Sequence, residues 1–215
     1  MSGTEKIGEI LSSNIPKEFL LLVESGFQGA LERASAVGRN FQKGHRSTVV
    51  GVLRHYNLNE ALSSAFAEAG LRHGGVKGNR IVFGVAGITT VARVHLNKGP
   101  WNNSRRSKAK QKLSERNVAA AKLVQPDLYE AEIAVPEITA FLITEGDGSP
   151  EQPAEIYIVV PNAVMDLKNP LFVETIGLFL QRYAKVDQLS DIAHPRLKLG
   201  VQINPRTSTS DESRD

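Results

Sequence analysis

The chain has no cysteine, two methionines and one tryptophan. Without thiols there is no disulfide, no thiolate nucleophile and no cysteine-ligated zinc, a composition that fits a reducing compartment and leads us to expect a cytoplasmic protein. Long apolar runs are also missing. The longest low-charge stretch, Ile81 to Ala92, is well short of the roughly 20 residues a spanning helix needs, and its Gly and Thr content points to strands. No membrane contact and no secretion signal are expected, since Glu5, Lys6, Glu9, Lys17 and Glu18 interrupt the start of the chain. The histidines at 45, 55, 73, 95 and 194 show no HxH or HExxH spacing, and there is neither a nucleophile elbow nor a Walker loop. No metal, no cofactor and no catalytic residue is predicted.

A further absence is more informative. No acidic residue occurs from position 69 to 114, a stretch holding Arg72, Lys77, Arg80, Arg93, Lys98, Arg105, Arg106, Lys108, Lys110 and Lys112. A second acid-free window, Arg33 to Asn59, adds Arg39, Lys43, Arg46 and Arg54 with His45 and His55. The formal charge of +3 therefore conceals +5 over residues 1–100, +6 over 101–124 and −8 over 125–215. Solvated faces ordinarily mix signs, because opposite charges at helical spacing attract and like charges repel. Exclusion of one sign over this length points to a polyanion.

The apolar pattern predicts an α+β protein. Phe19, Val23, Phe27, Ala30 or Leu31, and Ala34 form a helical stripe after Asn14 and Pro16, with Asn14 as the expected cap. Ser47 to His55 and Asn59 to Ala69 read as two further helices, completing a helical N-terminal subdomain over 1–76. An α+β domain over 77–204 is expected to contain at least four strands in two hairpin-like pairs, interleaved with a long basic helix and a C-terminal amphipathic helix. Its strands are Arg80 to Ala86 and Thr89 to Leu96, then Thr139 to Thr144 and Glu155 to Val160. Alternation in Thr89 to Leu96 sets Val91, Arg93 and His95 opposite Thr90, Ala92, Val94 and Leu96, which reads as a half-exposed strand. The long helix is expected over 104–122, and the last one, opened by Asn169 and Pro170, carries Phe172, Ile176, Phe179, Leu180 and Tyr183 on one side. Residues 205–215 are too polar to pack and are expected to be disordered.

These features favour a nucleic-acid-binding protein that grips DNA or RNA mainly by its phosphates. On the 104–122 helix, Arg105, Lys108, Lys112 and Arg116 fall within about 80° of one another, a basic ridge beside the apolar Leu113, Ala109 and Ala120. Arg106 and Lys110 add charge. The preceding Trp101, Asn102 and Asn103 supply a ring to stack on a base and amides to meet base edges. Arg80, Arg93, Arg46 and Arg54 are expected to assist. One alternative is a protein-interaction module, such as a toxin–antitoxin component or accessory subunit, whose basic face meets an acidic partner or the acidic back of a second copy.

Three local patterns are weaker. Gly75 to Ile81 (GVKGNRI) has the glycine spacing of a KH loop, but a strand rather than a helix is expected to follow. Ser47 to Ala69, with Tyr56, Asn57 and Leu58 as the turn, has the outline of a helix-turn-helix, and Glu60 and Glu68 are ill suited to a recognition helix. Asp127 followed by Glu155 is similar in order to the PD-(D/E)xK nucleases, giving a metal-dependent nuclease as a second alternative; the lysine that chemistry requires is replaced by Tyr157.

Overall fold

The computed structural model describes residues 2–96, 101, 107–124, 134–146 and 154–190. Helix α1 (Gly3–Asn14) is capped by Ser2, whose hydroxyl accepts from the Glu5 N–H at 3.2 Å. Helix α2 (Lys17–Gly38) buries the whole expected stripe, Phe19, Val23, Phe27, Ala30, Leu31 and Ala34. Asn14 does not cap α2. It ends α1, and its Oδ1 accepts from the Ile88 N–H at 3.1 Å, tying the helix to a sheet turn.

Helix α3 (Lys43–Glu68) is continuous where two helices were expected. Tyr56, Asn57 and Leu58 include neither Gly nor Pro, so nothing forces a break. Leu58 fills the core, and Asn57 donates across to Ala30 O on α2 at 3.2 Å. The helix-turn-helix reading ends there.

The sheet runs in chain order, β1 (Arg72–His73), β2 (Phe83–Ala86), β3 (Thr89–Leu96), β4 (Ile138–Glu145), β5 (Glu155–Val160) and β6 (Phe172–Thr175). All neighbours are antiparallel except β3 and β4, which run parallel from Thr89↔Ile138 to Leu96↔Glu145. A tight turn joins β2 to β3 at Gly87, whose φ of 56° suits glycine. The loop with KH-like spacing, 74–81, links strands β1 and β2, so it lacks the two flanking helices of that motif.

The parallel pair needs a crossover, which α4 (Lys108–Ser114), a 3₁₀ turn (Glu115–Asn117) and α5 (Val118–Val124) supply in place of one unbroken helix. The break has a visible cause. Buried Asn117 donates to Thr139 O (3.0 Å) and Pro161 O (2.8 Å) and accepts from the Thr139 N–H (2.6 Å), while Thr139 Oγ1 donates to Leu113 O (2.7 Å). These bonds draw the turn onto the sheet more tightly than a regular helix allows. The last helix is likewise shorter than expected at its start: β6 takes Phe172 to Thr175, pairing Phe172 with Val160, and α6 begins at Ile176 (Ile176–Ser190).

One face of the sheet packs under the helices, bringing Ile7, Phe19, Leu62 and Phe66 together with Val91, Ala140, Leu142 and Ile158 in a single cluster. The other face holds Ala92, Val94, Phe141 and Val159 beneath Leu113, Met165 and Leu167. Gly84 fits because a Cβ there would lie 2.6 Å from the Phe66 ring. Gly84→Ala is therefore expected to cost about 1–3 kcal/mol, read as a lowered midpoint in urea unfolding. Among the described residues no helix is long and apolar enough to cross a membrane.

Candidate anion-binding cavity

Strand β2 starts late, at Phe83. Its first residue pairs as Phe83↔Ala92, so Arg93 to Leu96 continue β3 past that end with no β2 partner. Over this free edge lies a cavity of about 660 Å³. Helix α3 contributes Gly51, His55 and Asn59 to its lining, the β1–β2 connection Asn79, Arg80 and Ile81, and the start of α4 Ser107, Ala109 and Lys110. Tyr56 pins the connection to α3 by donating to Asn79 Oδ1 at 3.1 Å. Both acid-free windows thus converge here, and among the described residues no Asp or Glu lines the cavity.

The alternation expected of β3 is present, with Val91, Arg93 and His95 sharing a face, but the strand is not half-exposed: that face lies under the helices and both sides are covered. Arg93 is only 5% exposed. Its Nε donates to Asn59 Oδ1 (2.9 Å) and its Nη2 to His55 O (2.5 Å). These acceptors are neutral, so hydrogen bonding is satisfied while no carboxylate among the described residues pairs with the charge. Burial pushes its guanidinium down to about 10, which still leaves it cationic at neutral pH. Half-buried Lys110 is lowered by burial and then by Arg93. His55 is lowered by burial, Arg93 and Lys110; the donors Arg93 Nη2 and Asn59 Nδ2 face its two ring nitrogens at 3.3 Å, so an imidazolium would have no acceptor.

His95 is neutral by geometry. Arg54 Nη1 donates to its Nε2 at 2.8 Å, leaving the proton on Nδ1, which donates to Thr144 Oγ1 at 2.9 Å. Burial, then Arg54, Arg93 and Lys110, push its pKa down to about 3. The unfolded chain binds this proton near pH 6.5 and the folded one near 3, so stability falls as pH drops through that window. The loss by pH 5 is about 2 kcal/mol. Urea titrations at pH 7 and 5 are expected to show it in the parent protein and to show a smaller loss in His95→Gln.

The remaining expected residues are dispersed. Arg80 is exposed at the cavity, whereas Arg54 and Arg93 are buried instead of lying on an outer surface. Lys108 and Lys112 are exposed on α4, and Lys110 turns into the cavity. Arg116 leaves the proposed ridge: it donates to Thr90 Oγ1 (2.7 Å) and pairs with Glu137 (3.5 Å). Exposed Arg46 sits in the first turn of α3 and donates to Arg39 O (3.3 Å). Trp101 packs edge-on against Tyr157 and donates to Glu145 at 3.2 Å, which makes it a half-buried anchor in this structure. Asn102, Asn103, Arg105, Arg106 and the carboxylate at Asp127 lie outside the described residues. Among the described residues no group of three or more His, Asp and Glu could hold a metal. The sequence reading missed His55, Asn59 and His95 as members of one site; the shared face of Val91, Arg93 and His95 was its only signal. No family model, curated protein or solved structure matches the chain.

Proposed function

We propose that the protein binds nucleic acid by seating backbone phosphates in this cavity. The observation that carries the reading is the convergence of Arg80, Arg93 and Lys110 on a cavity that has no acidic lining among the described residues. A buried cation without a counter-charge weakens a fold, and an anionic ligand removes that penalty on binding. Exposed Lys108 and Lys112, close in sequence to Lys110, supply contacts for neighbouring phosphates. The α2–α3 turn adds a second basic surface, with Arg39, Lys43 and Arg46 all exposed.

About five phosphate contacts correspond to a log–log salt slope of about −3.5 on a single strand, or roughly a hundredfold weaker binding between about 50 and 200 mM salt. Fluorescence anisotropy with labelled DNA and RNA oligonucleotides measures this directly. Binding that ignores salt, or no binding to either polymer at low salt, contradicts the proposal.

A further inference from the structure

The cavity is larger than a phosphate requires and has an apolar wall. Its volume lies within the range of roughly 300–1,000 Å³ typical of small organic ligands. Ile81, Phe83 and Ala109 form a side of it and also line a neighbouring cavity of about 520 Å³, which contains Lys112, Leu113, Glu115, Arg116 and Glu137. Phe83 is the ridge between the two. On β2, Gly84 and Ala86 face the helices, so Phe83 projects from the opposite side of the strand and is 37% exposed.

The two chambers differ in charge. Among the described residues the charged side chains of the first are all basic, while the second is mixed, with Glu115 and Glu137 beside Lys112 and an Arg116 occupied by Glu137 and Thr90. A phosphate is drawn more strongly to the first than to the second, where carboxylates offset Lys112 and offer oxygens that can accept from the amino group of a base. Resting on the nucleic-acid reading above, we infer that the site takes single-stranded nucleic acid, with one phosphate on Arg93 and Lys110 and the adjoining unpaired base stacked on Phe83. A base in a duplex is already stacked and paired, so its face is not available to the ring.

Anisotropy titrations of the full chain with one labelled strand, its duplex and the same strand carrying an abasic run test the inference, using DNA and RNA versions. The intact single strand is expected to bind at least about tenfold more tightly than either competitor. Phe83→Ala and Phe83→Leu are expected to erase that preference while leaving affinity for the abasic strand unchanged; the leucine variant keeps an apolar side chain where alanine disturbs folding, and the abasic probe tests stacking on unmodified protein. Equal binding of single strand, duplex and abasic strand with normal salt dependence overturns base stacking and leaves phosphate binding standing. Absence of binding to all three overturns both.

Discussion

The double variant Arg93→Met/Lys110→Met is expected to bind an oligonucleotide about a hundredfold more weakly than the parent, while its melting temperature stays within a few degrees. Each lost phosphate contact is assigned about a tenfold change and about 0.7 of a unit in the log–log salt slope on a single strand, so the slope shrinks by about 1.4. Stability has two opposing terms. Asn59 Oδ1 and His55 O lose the donors that Arg93 provides, at about 1–3 kcal/mol each if they stay dry. Against this, two like charges leave a shared low-dielectric site, and replacing buried charges by apolar groups of similar length is commonly neutral or stabilising by about 1–4 kcal/mol. The terms are similar in size, and about 1 kcal/mol moves the midpoint of a chain this long by only about 2–4 °C. Calorimetry and anisotropy on the same preparation check both halves; a large loss of stability with unchanged binding would assign these cations a purely structural role.

Asn117→Ala is expected to lower stability by about 3–5 kcal/mol, a shift on the order of 10 °C. Its amide satisfies three buried backbone groups, Thr139 O, Pro161 O and the Thr139 N–H, and alanine leaves all three without this partner. The same residue holds the tight turn behind α4, the helix that carries Lys110 into the cavity. Loss of the turn is therefore expected to weaken nucleic-acid binding as well, although residue 117 is absent from the cavity lining. Chemical unfolding measures the first effect. Anisotropy well below the melting midpoint measures the second.

The contrast between these residues shows where the amino-acid pattern is legible. The α2 stripe is periodic and its burial follows from local geometry. The α+β class follows because helical and strand periods occupy separate stretches of chain. Strand alternation places Arg93 and His95 on one face of β3, but charge on a strand ordinarily marks the solvent side, and here that side is covered by α3. A buried cation held by neutral acceptors breaks that rule, so it has no sequence signature of its own. The cavity depends on contacts spanning tens of residues, Arg54 to His95 and Asn59 to Arg93, and on the parallel β3–β4 pairing that the crossover creates. Asn117 had no distinguishing signal, since a lone Asn in a basic helix reads as a surface residue until the sheet beneath it is known. The acid-free windows were visible throughout; what folding adds is their convergence on one cavity.

Ultraviolet crosslinking of a bound oligonucleotide to the full chain, followed by mass spectrometric mapping, tests the location of the site most directly. The account predicts crosslinked peptides from residues 51–59, 79–95 and 107–112, with the yield at 79–95 falling in the Arg93→Met/Lys110→Met variant. Crosslinks confined to other surfaces, such as the separate cavity around Leu21, Gln28 and Thr175, would contradict it.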